Sequence, residues 1–218
     1  MNVFTLKIIA LISMMIDHYG AIFHDNIDIY RIIGRIAFPI YCFLLVEGYL
    51  HTKDVKKYAI RLLIFALISE IPFDLAFYGM LSFYHQNVFF TLFIGLVTIH
   101  LLDNPNKYKY RKGLIYLFAT ILSIIAGVDY SFMGLIYILA FYYTKDFNKT
   151  KRFIIIALIL FLTNLLSHPI QQFSLLALPI LYIYNGELGP KNKVLQILFY
   201  AAYPIHLIIY YFLNTSLI

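Results

Sequence analysis

Charge is scarce in this chain. Only 13% of its 218 residues are Asp, Glu, Lys or Arg, where a soluble domain carries about a quarter. Hydrophobic residues make up 62%, and the mean hydropathy is +0.80, which excludes an ordinary water-soluble globule. A single cysteine, Cys42, excludes an internal disulfide and a cysteine-built metal site. Metal-ligand spacing is absent, as are a glycine-rich phosphate cradle and a strand–turn–helix context for a serine nucleophile. No long linker or low-complexity stretch interrupts the chain, so residues 1–218 read as one domain. There is also no internal repeat of the kind many transporters carry.

What is present is a series of continuous apolar runs such as "RFIIIALILFLTNLLS". Strands of a membrane barrel would alternate apolar with polar residues, so these runs are helices. The expected fold is an all-α polytopic membrane protein, a single bundle of about nine transmembrane helices. The segments fall near 4–23, 30–50, 58–77, 88–102, 114–127, 130–144, 153–167, 172–184 and 194–213. The first, "LKIIALISMMIDHYG", lacks a small-residue cleavage site and reads as a mature helix rather than a secretory signal.

The net charge of +6 does not point to nucleic acid, because the basic residues sit in short loops between apolar runs. "HTKDVKK" holds three, "DNPNKYKYRKG" four, "TKDFNKTKR" four and "NGELGPKNK" two. The alternate loops hold none; their charges are Asp25, Asp28 and Asp129. This alternation predicts a cytoplasmic N-terminus, basic loops inside and an extracytoplasmic C-terminus.

Ionisable residues within or beside the apolar runs are expensive in a bilayer and mark function by default. In order they are Lys7, Asp17, His18, Arg31, Arg35, Glu47, Glu70, Asp74, His85, Asp129, His168 and His206. The predicted topology gathers most of them, with Asn87, toward the outer half. Residues at helix ends also touch water or headgroups for no functional reason, and many of the 20 tyrosines fit an interfacial belt. Lys7 and His18 are harder to dismiss. They are eleven positions apart on the first helix, about three turns plus 20°, so they share a face roughly 16 Å apart along the axis. Histidine is the natural general base near neutral pH. A cation deep in the helix suits an anionic or polar part of a long acyl donor, and the pantetheine arm of coenzyme A has a comparable length. Asp17 points about 100° from His18, so it either orients the imidazole or pairs elsewhere. Arg31 and Arg35, one turn apart, either pair with Asp17 or Glu70 or stabilise a developing oxyanion.

Seven stretches, "LKIIALISMMIDHYG", "RIIGRIAFPIYCFLLVEGY", "RLLIFALISEIPFDL", "HQNVFFTLFIGL", "DYSFMGLIYI", "YNGELG" and "FYAAYPIHLIIY", together resemble the TraX family over nearly the whole chain. That family is similar to the acyltransferase-3 type membrane acyltransferases, whose first helix carries a basic residue, ten residues and a histidine. Lys7 and His18 meet that pattern, with Lys where Arg is usual. The resemblance implies an acetyl-CoA-dependent N- or O-acetyltransferase of the bacterial cytoplasmic membrane, related to enzymes that acetylate the N-terminal amine of conjugative pilin. It implies His18 and Asp17 as catalytic residues and Lys7, Arg31 and Arg35 on the donor path. Glu47, Glu70, Asp74, His85, Asn87 and His206 match other family blocks as substrate or site-support positions. The implied partners are acetyl-CoA, an acceptor peptide, glycan or lipid at the outer face, and membrane lipid, with neither metal nor nucleic acid. A surface glycan or lipid is the rival acceptor; a proton or small-solute transporter is the rival class.

Overall fold

Apolar runs without proline close their own backbone hydrogen bonds, and in lipid no other partner exists. The computed structural model describes residues 1–103, 111–190 and 192–216, and the described residues are helical apart from loops and one isolated bridge between Gln86 and Val128. The basic positions Lys107, Lys109 and Lys191, used above to orient the loops, lie outside the described residues.

Among the described residues ten α-helices follow one another: α1 Val3–Phe23, α2 Asp28–Gly34, α3 Ala37–His51, α4 Val55–Tyr78, α5 Val88–Leu102, α6 Lys112–Ile125, α7 Ser131–Tyr143, α8 Lys149–Asn164, α9 Ala177–Tyr182 and α10 Lys193–Ser216. A 3-10 segment, Pro169–Leu176, precedes α9. Two departures from the sequence reading have local causes. The second predicted segment is broken at Arg35–Ile36 into α2 and α3. Pro39 lacks the N–H that would bond to the Arg35 carbonyl, and its ring crowds that carbonyl. The eighth opens inside a 3-10 segment that begins at Pro169 and is rich in polar Gln171, Gln172 and Ser174. Only six residues of true α-helix follow.

Three stretches are long and apolar enough to cross a bilayer by themselves: Val3–Phe23, Asp28–His51 and Lys193–Ser216. Helix α4 has 24 residues but carries Lys56, Lys57, Arg61, Glu70 and Asp74. Helices α5 to α8 have 13 to 16 residues, or at most about 24 Å of rise against a hydrocarbon core of about 30 Å.

The ends of the helices sort into two groups. At one end, the Tyr49 and Tyr142 hydroxyls both donate to Asp103, at 2.8 and 2.5 Å, tying α3, α5 and α7. There too Lys149 reaches the Tyr184 carbonyl, and the Val3 N–H donates to the Glu187 carbonyl. This is the basic-loop end. At the opposite end, Asp17 meets Arg31, Arg35 reaches Gln171, the Ser82 N–H donates to Asp74, and Gln86 pairs with the 127–129 turn. Helix α3 is buried on nearly every face, with Ile40, Cys42 and Val46 fully enclosed, as a helix apolar all round should be. Helices α6 and α10 instead expose Leu114, Phe118, Ile125, Ile197, Ile205 and Phe212. An apolar exterior of this kind suits lipid.

In sealed vesicles, a cysteine placed by Lys149→Cys and one placed by Ser82→Cys, each with Cys42→Ala, should react with an impermeant maleimide from opposite sides. Labelling of both from the same side would contradict the two-ended bundle.

Candidate active site

Helix α1 divides its polar residues between two neighbours. Asp17 faces α2. Its two carboxylate oxygens accept from Arg31 at 2.7 Å and from Arg35 at 2.5 Å. Arg31 also donates to the Asp17 carbonyl at 3.2 Å, and Arg35 to Gln171 at 3.1 Å. The backbones come close enough that a Cβ on Gly34 would collide with the Asp17 side chain. Asp17 is 8% exposed, and a buried carboxylate needs such partners. Of the two roles open to Asp17, the observed contact is with the arginines and not with His18. Arg35 thereby engages all three of its nitrogens, Nε going to the Arg31 carbonyl, and Arg31 engages Nη1.

His18 faces α10. Its Nδ1 lies 2.7 Å from Nε2 of His206, and Nδ1 of His206 lies 2.8 Å from the Ala202 carbonyl. The carbonyl can only accept, so His206 Nδ1 carries the proton. In the neutral ring Nε2 is then a lone pair, and His18 Nδ1 must donate to it. The chain of bonds leaves Nε2 of His18 as a lone-pair nitrogen with its ring fixed. Phe77 and Tyr203 close on His18 edge-on, at 5.2 and 5.7 Å between centroids.

Below His18 runs a cavity of about 290 Å³. Its mouth is at the basic-loop end, where Val3, Lys7, Glu47, His51, Thr52, Arg61 and Gln196 line it; its inner end is formed by Met14, Val88, Phe89 and Tyr203. Met14 lies one turn before His18 on α1. Of the Lys7–His18 face expected from helical period, Lys7 and Met14 line the cavity and His18 does not. Lys7, Val3, Leu188, Gln196 and Phe199 also line a second groove of about 360 Å³, which continues past Pro190, Asn192 and Lys193. Lys7 packs 5.6 Å over the Phe199 ring and is close enough to Arg61 for the two cations to repel. Among the described residues neither forms an ion pair, and the Arg61 Nε is buried without a partner. Glu47, on the cavity wall, accepts from Tyr184 at 3.2 Å.

The acidic residues of the far end divide similarly. Asp129 lies 3.5 Å from His85. This hydrogen bond raises the His85 pKa above its usual value, so the pair is firmest below the ordinary histidine range and loosens as pH rises through the raised value. Glu70 accepts from the Asn87 side chain at 2.5 Å, and Asn87 also donates to the Ala66 carbonyl at 2.8 Å. The second oxygen of Glu70 and the Oδ1 of Asp74 are buried with no hydrogen-bond partner among the described residues, and neither carboxylate forms an ion pair there, although Glu70 is near enough to His85 to favour its protonated form. Asp74 is only 3% exposed.

The arrangement therefore puts Lys7 and Glu47 on the lining of one cavity, while His18 and His206 pack against Tyr203 at its inner end without lining it. Arg31, Arg35 and Asp17 form a separate cluster beside it, and Glu70, Asp74, His85 and Asn87 lie on the far side. Sequence reasoning missed Arg61, which hides in the apolar run of α4 just past "HTKDVKK". It also missed Tyr203, one of 20 tyrosines with nothing local to single it out; its position three residues before His206, one turn along the same face, is the only available signal.

Comparison with known proteins agrees with the seven stretches quoted above. The family model described as "TraX protein" matches residues 3–214. A "Probable fimbrial assembly protein FimC, serogroup H1" of Dichelobacter nodosus is 28% identical over 94% of this chain and 93% of its own length. An "Uncharacterized protein RP591" of Rickettsia prowazekii (strain Madrid E) is 31% identical over 51% of this chain and 42% of its own. No solved structure matches.

Asp17→Asn should destabilise the protein by about 3–5 kcal/mol, because it strands two guanidinium groups against one neutral amide. Thermal melts in detergent read this. A melting temperature unchanged from the parent would remove the cluster from its structural role.

Proposed function

The chain belongs to the TraX family, and from that premise we propose that it is a multi-pass acetyltransferase of the cytoplasmic membrane. Acetyl-CoA enters from the cytosolic, basic-loop end, and the acetyl group passes to an acceptor at the outer end. The observation that carries this reading is the cavity: Lys7 and Arg61, which form no ion pair among the described residues, on its lining, largely apolar walls, and Tyr203, against which His18 packs at 5.7 Å, at its inner end. A cavity of about 290 Å³ is at the small end for ligand pockets. It suits an acyl-pantetheine arm, with the nucleotide and its phosphates left to the basic groove through Lys7 and Lys193. The N-terminus is inside and the C-terminus outside.

In the reaction, an amine or hydroxyl of the acceptor attacks the thioester carbonyl while His18 Nε2 takes its proton. His206 holds the ring and, through Nε2, accepts the hydrogen bond that strengthens as His18 becomes cationic. When the tetrahedral intermediate collapses, the C–S bond breaks and the proton passes to sulfur, giving the acetylated acceptor and the free CoA thiol. The buried unpaired oxygens of Glu70 and Asp74 favour an acceptor that arrives as an ammonium ion. Such an ammonium gives up one proton to the Glu70 or Asp74 carboxylate before attack and a second to His18. This agrees with a peptide N-terminus of the pilin kind, and with the fimbrial assembly description of the Dichelobacter relative.

Purified protein in lipid nanodiscs should release CoA thiol from acetyl-CoA when a peptide with a free N-terminus is supplied. His18→Ala should lower kcat by about 10²–10⁴-fold with CoA binding retained; undiminished turnover would sink the role of His18. Lys7→Ala should raise the KM for acetyl-CoA roughly tenfold or more, the loss of one charge-assisted contact; an unchanged KM would refute the donor path.

A further inference from the structure

We propose that the Tyr203 hydroxyl is the hydrogen-bond donor that holds the thioester carbonyl oxygen and stabilises the oxyanion formed there. This rests on the acyl-transfer reading above. It addresses a gap in that reading, since a base alone leaves the developing negative charge uncompensated. The arginines expected for that task are committed to Asp17 and Gln171.

Tyr203 stands where the charge develops. It is 3% exposed and lines the inner end of the cavity. Its ring is wedged edge-on against His18 at 5.7 Å, His206 at 5.6 Å and Phe89 at 5.2 Å, which leaves it little freedom to turn. Its hydroxyl lies beside the backbone N–H of Val88. Val88 is the first residue of α5, so that N–H has no acceptor within the helix. The next two are taken: Phe89 donates to the Asn87 side chain and Phe90 to the Asn87 carbonyl. The Val88 N–H is thus free to turn toward the Tyr203 oxygen. Tyr203 and Val88 both line the cavity, which offers the Tyr203 hydroxyl a ligand oxygen as its acceptor. The N-terminal end of α5 polarises the hydroxyl further.

The step balances as follows. The nucleophile bonds to the carbonyl carbon, the C=O π pair moves onto oxygen, and the Tyr203 O–H and the Val88 N–H behind it stabilise that oxygen without a proton being transferred. His18 holds the proton lost by the nucleophile. Re-formation of the C=O expels the thiolate sulfur, which takes the proton from His18. Base and oxyanion donor come from neighbouring turns of α1 and α10, so one packing contact sets their separation.

The test uses a ketone analogue of acetyl-CoA, with a methylene in place of sulfur and ¹³C at the carbonyl, bound to the full chain in nanodiscs. Infrared difference spectra should show a carbonyl stretch lowered in the parent protein and returned toward its solution value in Tyr203→Phe, which keeps every ring contact. Tyr203→3-fluorotyrosine, a stronger donor, should lower it further. With acetyl-CoA, Tyr203→Phe should lose about a hundredfold in kcat with KM unchanged. Identical carbonyl frequencies with kcat within twofold of the parent would overturn the assignment of Tyr203 and leave the acyl-transfer reading standing. No binding of the analogue to the parent protein would overturn that reading, and this inference with it.

Discussion

One buried carboxylate held by two guanidinium groups fixes the rotation of α1, and the rest of the site depends on it. Asp17 cannot turn away from Arg31 and Arg35 without leaving charge unpaired in a medium that does not solvate it. Once Asp17 faces α2, the helical period sends His18 toward α10 and Lys7 into the cavity. Gly34 permits the close approach that the clamp needs. The break between α2 and α3 caused by Pro39 lets Arg35, at the turn, reach Asp17 on one side and Gln171 on the other. A charge cluster that looks catalytic by composition thus acts by position.

Charged groups without an ion pair stand beside this scaffold, which has an unpartnered amide of its own in Gln171. Asp17 is neutralised, Asp103 receives two tyrosines, and Asp129 receives His85. By contrast Lys7 and Arg61 repel each other at the cavity mouth, and an oxygen each of Glu70 and Asp74 is buried without a partner. Native proteins rarely tolerate such groups except where a ligand completes them. Their signs are opposite at the two ends: cations where an anionic donor would enter, carboxylates where a cationic acceptor would arrive. The cavity runs from the first of these groups to Tyr203, against which the His18 imidazole packs.

Part of this was legible in the chain itself. The Lys7–His18 track depends only on the period of a single helix, and α1 is an unbroken 21-residue helix, so the geometry followed. The alternation of basic and acidic loops predicted which helix ends gather, because it depends on chain direction and not on packing. What could not be read depends on the rotation of one helix against another. His206 is 188 residues from His18, and nothing local states that they touch. Asp17 was ambiguous for the same reason. Proline effects at Pro39 and Pro169 were readable in principle, but long apolar runs hid them, since hydropathy scores a broken helix and a continuous one alike. Tyr203 was hidden among interfacial tyrosines, and only the cavity distinguishes it.

On the proposed reading, an acyl thioester lies at the inner end of this cavity, between α1 and α10. A photoreactive CoA thioester with a diazirine at the end of a short acyl chain tests it directly, by irradiation with the full chain in nanodiscs and peptide mapping of the adduct. The account predicts label on the segment around Met14–His18 of α1 or around Tyr203 of α10, competed away by acetyl-CoA. Label confined to the lipid-facing residues of α6, or label that acetyl-CoA does not displace, would contradict it.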